Sequence, residues 1–320
     1  MTEFIQGFSS PEPLNPSSQR TPLPNRQEGP VKHYSMAPLD TRQSFPSKVF
    51  GIARYWPGYS PDLKHIVVSG ASYCDVGYSH QSPHPTPEHP LGVPFPGYTY
   101  AEDGQANWVG HLVTEHPPQS APQGPHGSPV LVYDYAKGGA TVHGVVHQVN
   151  DGFMRAGSAG WKPEWAHWNS NDTIFMTWVG INDCALTRAD RFAASMKVYF
   201  EAQEAIYSAG GRNFVFINVP PVGRFRGKTA SNKDYETWNK LLEDGAASFA
   251  TANPDATVMI FSAWDLFHDV MDHPDKYGFT AEKGGSGVGG FLVDGLHPTS
   301  KMHNIIAREI SVFLRAQLPT

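Results

Sequence analysis

What this 320-residue chain lacks narrows what it can be. It has two cysteines, Cys74 and Cys184, too few for a disulfide framework. Charged residues make up 17% of the chain and the formal net charge is −6, whereas a typical soluble domain carries about 25% charged residues. Lys and Arg nowhere form a dense cluster, so a phosphate-neutralising surface and a nucleic-acid partner are not expected. No stretch approaches the ~18 consecutive apolar residues of a membrane helix, so no membrane partner is expected either. The opening MTEFIQGFSSPEPLNPSSQR has no basic start, apolar segment or small-residue cleavage site, and does not read as a signal peptide. These absences predict a soluble, intracellular, globular protein. The length excludes a stapled mini-domain and leaves room for one large domain or two ordinary ones.

Proline and glycine, by contrast, are plentiful, with 28 and 31 residues. Eight prolines fall in residues 1–50 and eleven in 81–130, so the remaining chain can still carry regular elements. Residues 1–45 mix Pro, Ser, Gln, Asn and Arg with few large apolar side chains. Such a segment buries too little to offset its ordering entropy and is expected to be a disordered tail. Beyond it, short β-branched and aromatic runs recur at 65–68, 130–135, 173–179, 213–219 and 257–261. Continuous apolar runs of this length suit strands covered on both faces. Helical stripes are expected over 190–208, 232–253 and 303–318, the first two stopped by Gly210-Gly211 and Pro254. Alternating strands and helices argue for an α/β fold built on a mostly parallel sheet, in a single domain over 46–320. The Pro-rich stretch 81–130 is expected to be a long loop. The histidines in and next to it, His80, His84, His89, His111, His116 and His126, lack accompanying acids or cysteines at ligand spacing, so they read as exposed loop residues and no metal is expected.

Four short segments follow strands or lie in the last loop. Ser72 sits in SGASYCD directly after the first run, where a nucleophile can be exposed. Gly139 sits in KGGA, where glycines let a backbone N–H approach a ligand. Asn182, in GIND, can donate a side-chain amide. In DGLHP, the three-residue spacing lets Asp294 reach the Nδ1–H of His297 and leave Nε2 free as a base. Each segment alone could be an ordinary turn. Together they supply a nucleophile, oxyanion donors, a base and its orienter, the parts of an acyl-transfer site. The absence of any G-x-S-x-G excludes the α/β-hydrolase nucleophile elbow.

These four blocks, in this order, resemble the SGNH or GDSL hydrolases. Longer strings, PGYTYAEDGQANWVGHL, VYDYAKGGATVHG, WVGINDC, GGRNFVFINVPPV and DGLHPT, are most similar to the fungal acetylesterases of carbohydrate esterase family 16. The resemblance covers about residues 60–318. It implies a three-layer α/β/α sandwich with Ser72 attacking an ester carbonyl, His297 taking its proton and Asp294 orienting the imidazole. The oxyanion hole would be the N–H groups of Ser72 and Gly139 with the Asn182 amide. The expected substrates are small-molecule or oligosaccharide esters, with no cofactor and a monomeric protein.

Two departures stand out. The first block has Ala71 where the family usually has Asp, which is expected to retune activity rather than abolish it. The cysteine and export signal usual in secreted relatives are missing, which fits an intracellular member or a secreted one with an incomplete start. Cys74 and Cys184 lie on loops that should border the site; a redox-sensitive pair is one reading, two unrelated buried thiols the plainer one. Rival functions are a lipase or broad esterase for longer acyl chains, and a non-catalytic carbohydrate-binding relative using aromatics such as Trp56, Tyr59 or Tyr98.

Overall fold

A computed structural model describes residues 46–118, 129–154, 166–225, 231–280 and 290–320. The tail expected over 1–45 and His126 lie outside the described residues. The apolar runs become strands, each wholly or almost wholly buried: β2 (His65–Gly70), β3 (Leu131–Asp134), β4 (Thr173–Trp178), β5 (Asn213–Ile217) and β6 (Thr257–Phe261). All five pair in parallel, and β1 (Lys48–Gly51) adds an antiparallel edge, giving the order β1-β6-β5-β4-β2-β3. Strand β1 has no apolar run to mark it, because its four residues are half exposed and its register breaks between Val49 and Gly51.

The helices are α1 (Trp108–Thr114), α2 (Val142–His147), α3 (Ile181–Leu186), α4 (Phe192–Ser208), α5 (Val222–Phe225), α6 (Lys233–Ala252), α7 (Ala263–Asp272) and α8 (Ser300–Arg315). On one side α2 packs on α4 and α4 on α6; elsewhere α1 packs on α8. The chain steps one way from β2 to β3 and the other way from β3 through β4 and β5 to β6. Right-handed crossovers therefore put α1 on the face opposite α2, α4 and α6, which gives three layers. The same reversal makes the carboxyl ends of β2 and β4 the switch point of the sheet, the usual place for a site in open α/β folds.

Residues 81–130 are not loop throughout. Helix α1 lies inside them, its N-terminus capped by Asn107, whose Oδ1 accepts the Val109 N–H at 3.0 Å. Two of the histidines expected to be exposed are instead partly buried brackets, and a third, His80, is partly buried as well. His111 Nε2 lies 2.9 Å from Ser300 Oγ, and His116 Nε2 lies 2.9 Å from Asn304 Oδ1, so both tie the α1 region to α8. His84 and His89 are exposed. Trp56 and Tyr59 are core residues, 2% and 4% exposed, which removes them as surface platforms. No helix among the described residues is long and apolar enough to cross a membrane.

Candidate active site

The turn after β2 holds Ser72. The N–H groups of Cys74 and Asp75 both donate to the Ala71 carbonyl, at 2.9 and 3.1 Å, and this sets Ser72 on a tight bend. The preceding peptide is gripped by Gln148. Its Oε1 accepts the Gly70 N–H at 2.8 Å and its Nε2 donates to the Gly70 carbonyl at 2.9 Å. Gln148 begins a π-helical turn, Gln148–Phe153, an element often found at functional sites.

The loop before α8 brings His297 to Ser72. Asp294 organises that loop from its own side chain: Oδ1 accepts the N–H groups of Leu296 and His297 at 3.0 and 2.8 Å. Its other oxygen meets His297 Nδ1 at 2.7 Å, and His297 Nε2 meets Ser72 Oγ at 3.0 Å. Partial burial pushes the Asp294 carboxyl up, but these hydrogen bonds and the imidazole together hold it below the usual carboxylate range. An ionised carboxylate only accepts, so Nδ1 carries the ring proton and Nε2 accepts from the Ser72 hydroxyl.

The KGGA turn after β3 is fastened to the Ser72 turn twice. The Lys137 N–H donates to the Gly70 carbonyl at 3.1 Å, and the Gly138 N–H donates to Asp75 Oδ2 at 2.8 Å. The second oxygen of Asp75 takes the Gly77 N–H at 2.7 Å, so this buried carboxylate joins both turns. Gly139 follows at φ +79°, a conformation glycine adopts without strain. Its N–H and that of Ser72 donate to no acceptor among the described residues. From the other side, Asn182 Nδ2 donates to the Ala140 carbonyl at 2.9 Å, which leaves one amide hydrogen over. Asp183 Oδ1 accepts the Val142 N–H at 3.1 Å. The segments carrying Ser72, Gly139, Asn182, Asp294 and His297 are thus tied into one network.

Two tyrosines complete it, and neither was singled out by the sequence reading. Tyr73, one residue past Ser72, donates its hydroxyl to the Leu296 carbonyl at 2.5 Å. Tyr100 stacks on the His297 ring, with centroids 5.0 Å apart and planes 29° apart. It also packs on Gly138, where an added Cβ would meet the Tyr100 hydroxyl at 1.9 Å. Behind Tyr73 lies His303, fully buried, with no hydrogen-bond partner for either ring nitrogen among the described residues. Burial drives its pKa well below the usual value, helped by the nearby His111 and His297.

Cys74 and Cys184 are free buried thiols. The Cys74 thiol is pushed up by burial and by the Asp134 charge, the Cys184 thiol by burial and by Asp183. Their surroundings differ: the Cys184 thiol faces the Asp234 carbonyl, whereas Cys74 lies beside Gly70 and Trp108. Among the described residues no three His, Cys, Asp or Glu side chains are grouped to hold a metal ion.

The family model of GDSL-like lipases and acylhydrolases matches residues 95–310. That span includes Gly139, Asn182, Asp294 and His297 and begins after Ser72. An acetylesterase of Thermothelomyces thermophilus is 29% identical over 239 residues, covering 67% of this chain and 76% of that protein. Among solved structures, a lipolytic G-D-S-L family protein of Veillonella parvula matches with a TM-score of 0.44 at 13% identity, covering 80% of this chain and all of its own. An acetylxylan esterase of Geobacillus stearothermophilus matches with a TM-score of 0.43 at 11% identity, covering 78% and 94%.

Proposed function

The chain belongs to the GDSL-like lipase and acylhydrolase family and is a carboxylic ester hydrolase; on that footing we propose that it removes acetyl groups from carbohydrate esters through Ser72, His297 and Asp294. The observation that carries the proposal is the unbroken chain from Asp294 to His297 at 2.7 Å and on to Ser72 at 3.0 Å. In this reading Ser72 Oγ attacks the acetyl carbonyl as its proton passes to His297 Nε2. Asp294 holds the ring in the required tautomer and stabilises the imidazolium. Negative charge on the carbonyl oxygen is met by the N–H groups of Ser72 and Gly139 and by the spare amide hydrogen of Asn182. Collapse expels the sugar hydroxyl, which takes the proton back from His297. Water, activated by the same base, then releases acetate from Ser72.

The preference for a short acyl group draws support from the named acetylesterase relative. Acetate release from acetylated oligosaccharides, measured for the protein and for Ser72→Ala, tests the chemistry; equal rates would remove Ser72 as nucleophile. Rates on p-nitrophenyl acetate and laurate test the acyl length, and a strong preference for laurate would replace the acetylesterase reading with a lipase-like one.

A further inference from the structure

The acyl half of an ester must face the oxyanion donors, and the departing alcohol must reach the proton on His297 Nε2. The side of the site next to His297 is therefore where the alcohol lies. That side is built from rings. Tyr100 stacks on His297, and Tyr98 meets Tyr100 edge-on, with centroids 5.9 Å apart and planes 81° apart. Tyr98 is 70% exposed, whereas most of the described aromatic side chains are in the core. Its backbone is fixed: the Tyr98 N–H donates to the carbonyl of Val76 at 3.0 Å, four residues past Ser72. Tyr98 thus presents an exposed ring on a fixed backbone, one aromatic contact from His297.

We propose that Tyr98, backed by Tyr100, is a platform on which the sugar ring carrying the acetyl group stacks. One face of a pyranose presents C–H groups that lie flat against an aromatic ring, while its hydroxyls stay in water. Tyrosine suits this, because its face is apolar, its rim is polar and little conformational freedom is lost on binding. Tyr98 would bind the ground state and the transition state alike, so its contribution should appear in KM rather than kcat.

The proposal rests on the carbohydrate-ester reading above, and its test separates the two. Affinity for acetylated xylotriose is measured by calorimetry on Ser72→Ala and on Ser72→Ala combined with Tyr98→Ala or Tyr98→Trp. The alanine should weaken binding about threefold to tenfold, and the tryptophan should restore it. With Ser72 intact, Tyr98→Ala should lower the ratio of kcat/KM on acetylated xylotriose to that on ethyl acetate by a similar factor, through KM. Equal affinities with and without Tyr98 would overturn the platform, as would tryptophan binding no better than alanine. A loss shared equally by both esters would overturn it too, by making Tyr98 a structural residue. If the intact protein releases no acetate but binding still depends on Tyr98, the hydrolase reading fails and the platform stands.

Discussion

His303 offers a quantitative test of the electrostatics beneath the site. It lies in the first turn of α8, fully buried, against the Tyr73 ring and within the fields of His111 and His297. Its pKa in the folded protein is well below the ordinary value, so the ring stays neutral on mild acidification. In the unfolded chain a histidine takes up its proton near pH 6.5. Below that pH the unfolded state binds a proton that the folded state refuses, so stability rises with pH and is lost as pH falls through about 6.5. Between pH 7 and pH 5 the loss from this one residue comes to at most about 2 kcal/mol, with a limiting slope of ~1.4 kcal/mol per pH unit at the acid end. His303→Leu keeps the volume and removes the titration. It also removes a buried ring N–H that has no acceptor among the described residues, so the variant should be at least as stable as the parent at pH 7. Urea unfolding of both proteins at pH 7 and pH 5 provides the assay. The parent should lose more stability than the variant between the two pH values, by up to about 2 kcal/mol. Identical pH dependence would refute the reasoning and mean that His303 is either charged in the fold or not buried.

Two further substitutions test the placement of the oxyanion donors and the nucleophile. Asn182→Ala should lower kcat by about 10²–10³ if its spare amide hydrogen meets the oxyanion, with KM much less affected; a change in KM alone would assign Asn182 to substrate binding. Gln148→Leu strips the Gly70 N–H of its acceptor, which should cost about 1–3 kcal/mol in thermal or urea unfolding. Because Gln148 acts on the turn that carries Ser72, kcat should fall while KM holds; unaltered kcat in a destabilised protein would limit it to a structural role.

How much of this could be read beforehand depended on range along the chain. The five parallel strands were legible because a strand covered on both faces must be apolar throughout, and TVMIF at 257–261 matches β6 residue for residue. Helices α4, α6 and α8 announced themselves through stripes long enough to show a period. Helices α1 and α2 did not. Seven and six residues span at most two turns, and α1 is held by Asn107 and by burial of most of its length rather than by an alternating face. In the site, Asp294 and His297 were legible because three residues of chain suffice to join them. Gln148 was not, because its role comes from a contact with Gly70 78 positions earlier, and no local pattern encodes that contact. Asp75 stood in plain view in SGASYCD, yet only the fold shows that it collects N–H groups from two separate turns.

The bond from Tyr73 to Leu296 has a mechanical consequence. Tyr73 is the residue after the proposed nucleophile and Leu296 the residue before the proposed base, so one hydroxyl spans two chain segments separated by 223 positions. The last loop cannot swing away and take His297 with it unless that bond breaks or the Ser72 turn follows. If Ser72 and His297 act as proposed, this bond couples the nucleophile's turn to the loop that carries the base. Burial and the neighbouring Asp294 charge keep the Tyr73 hydroxyl protonated well past its ordinary range. The coupling therefore persists under alkaline conditions, where a solvent-exposed tyrosine would have lost the proton it donates.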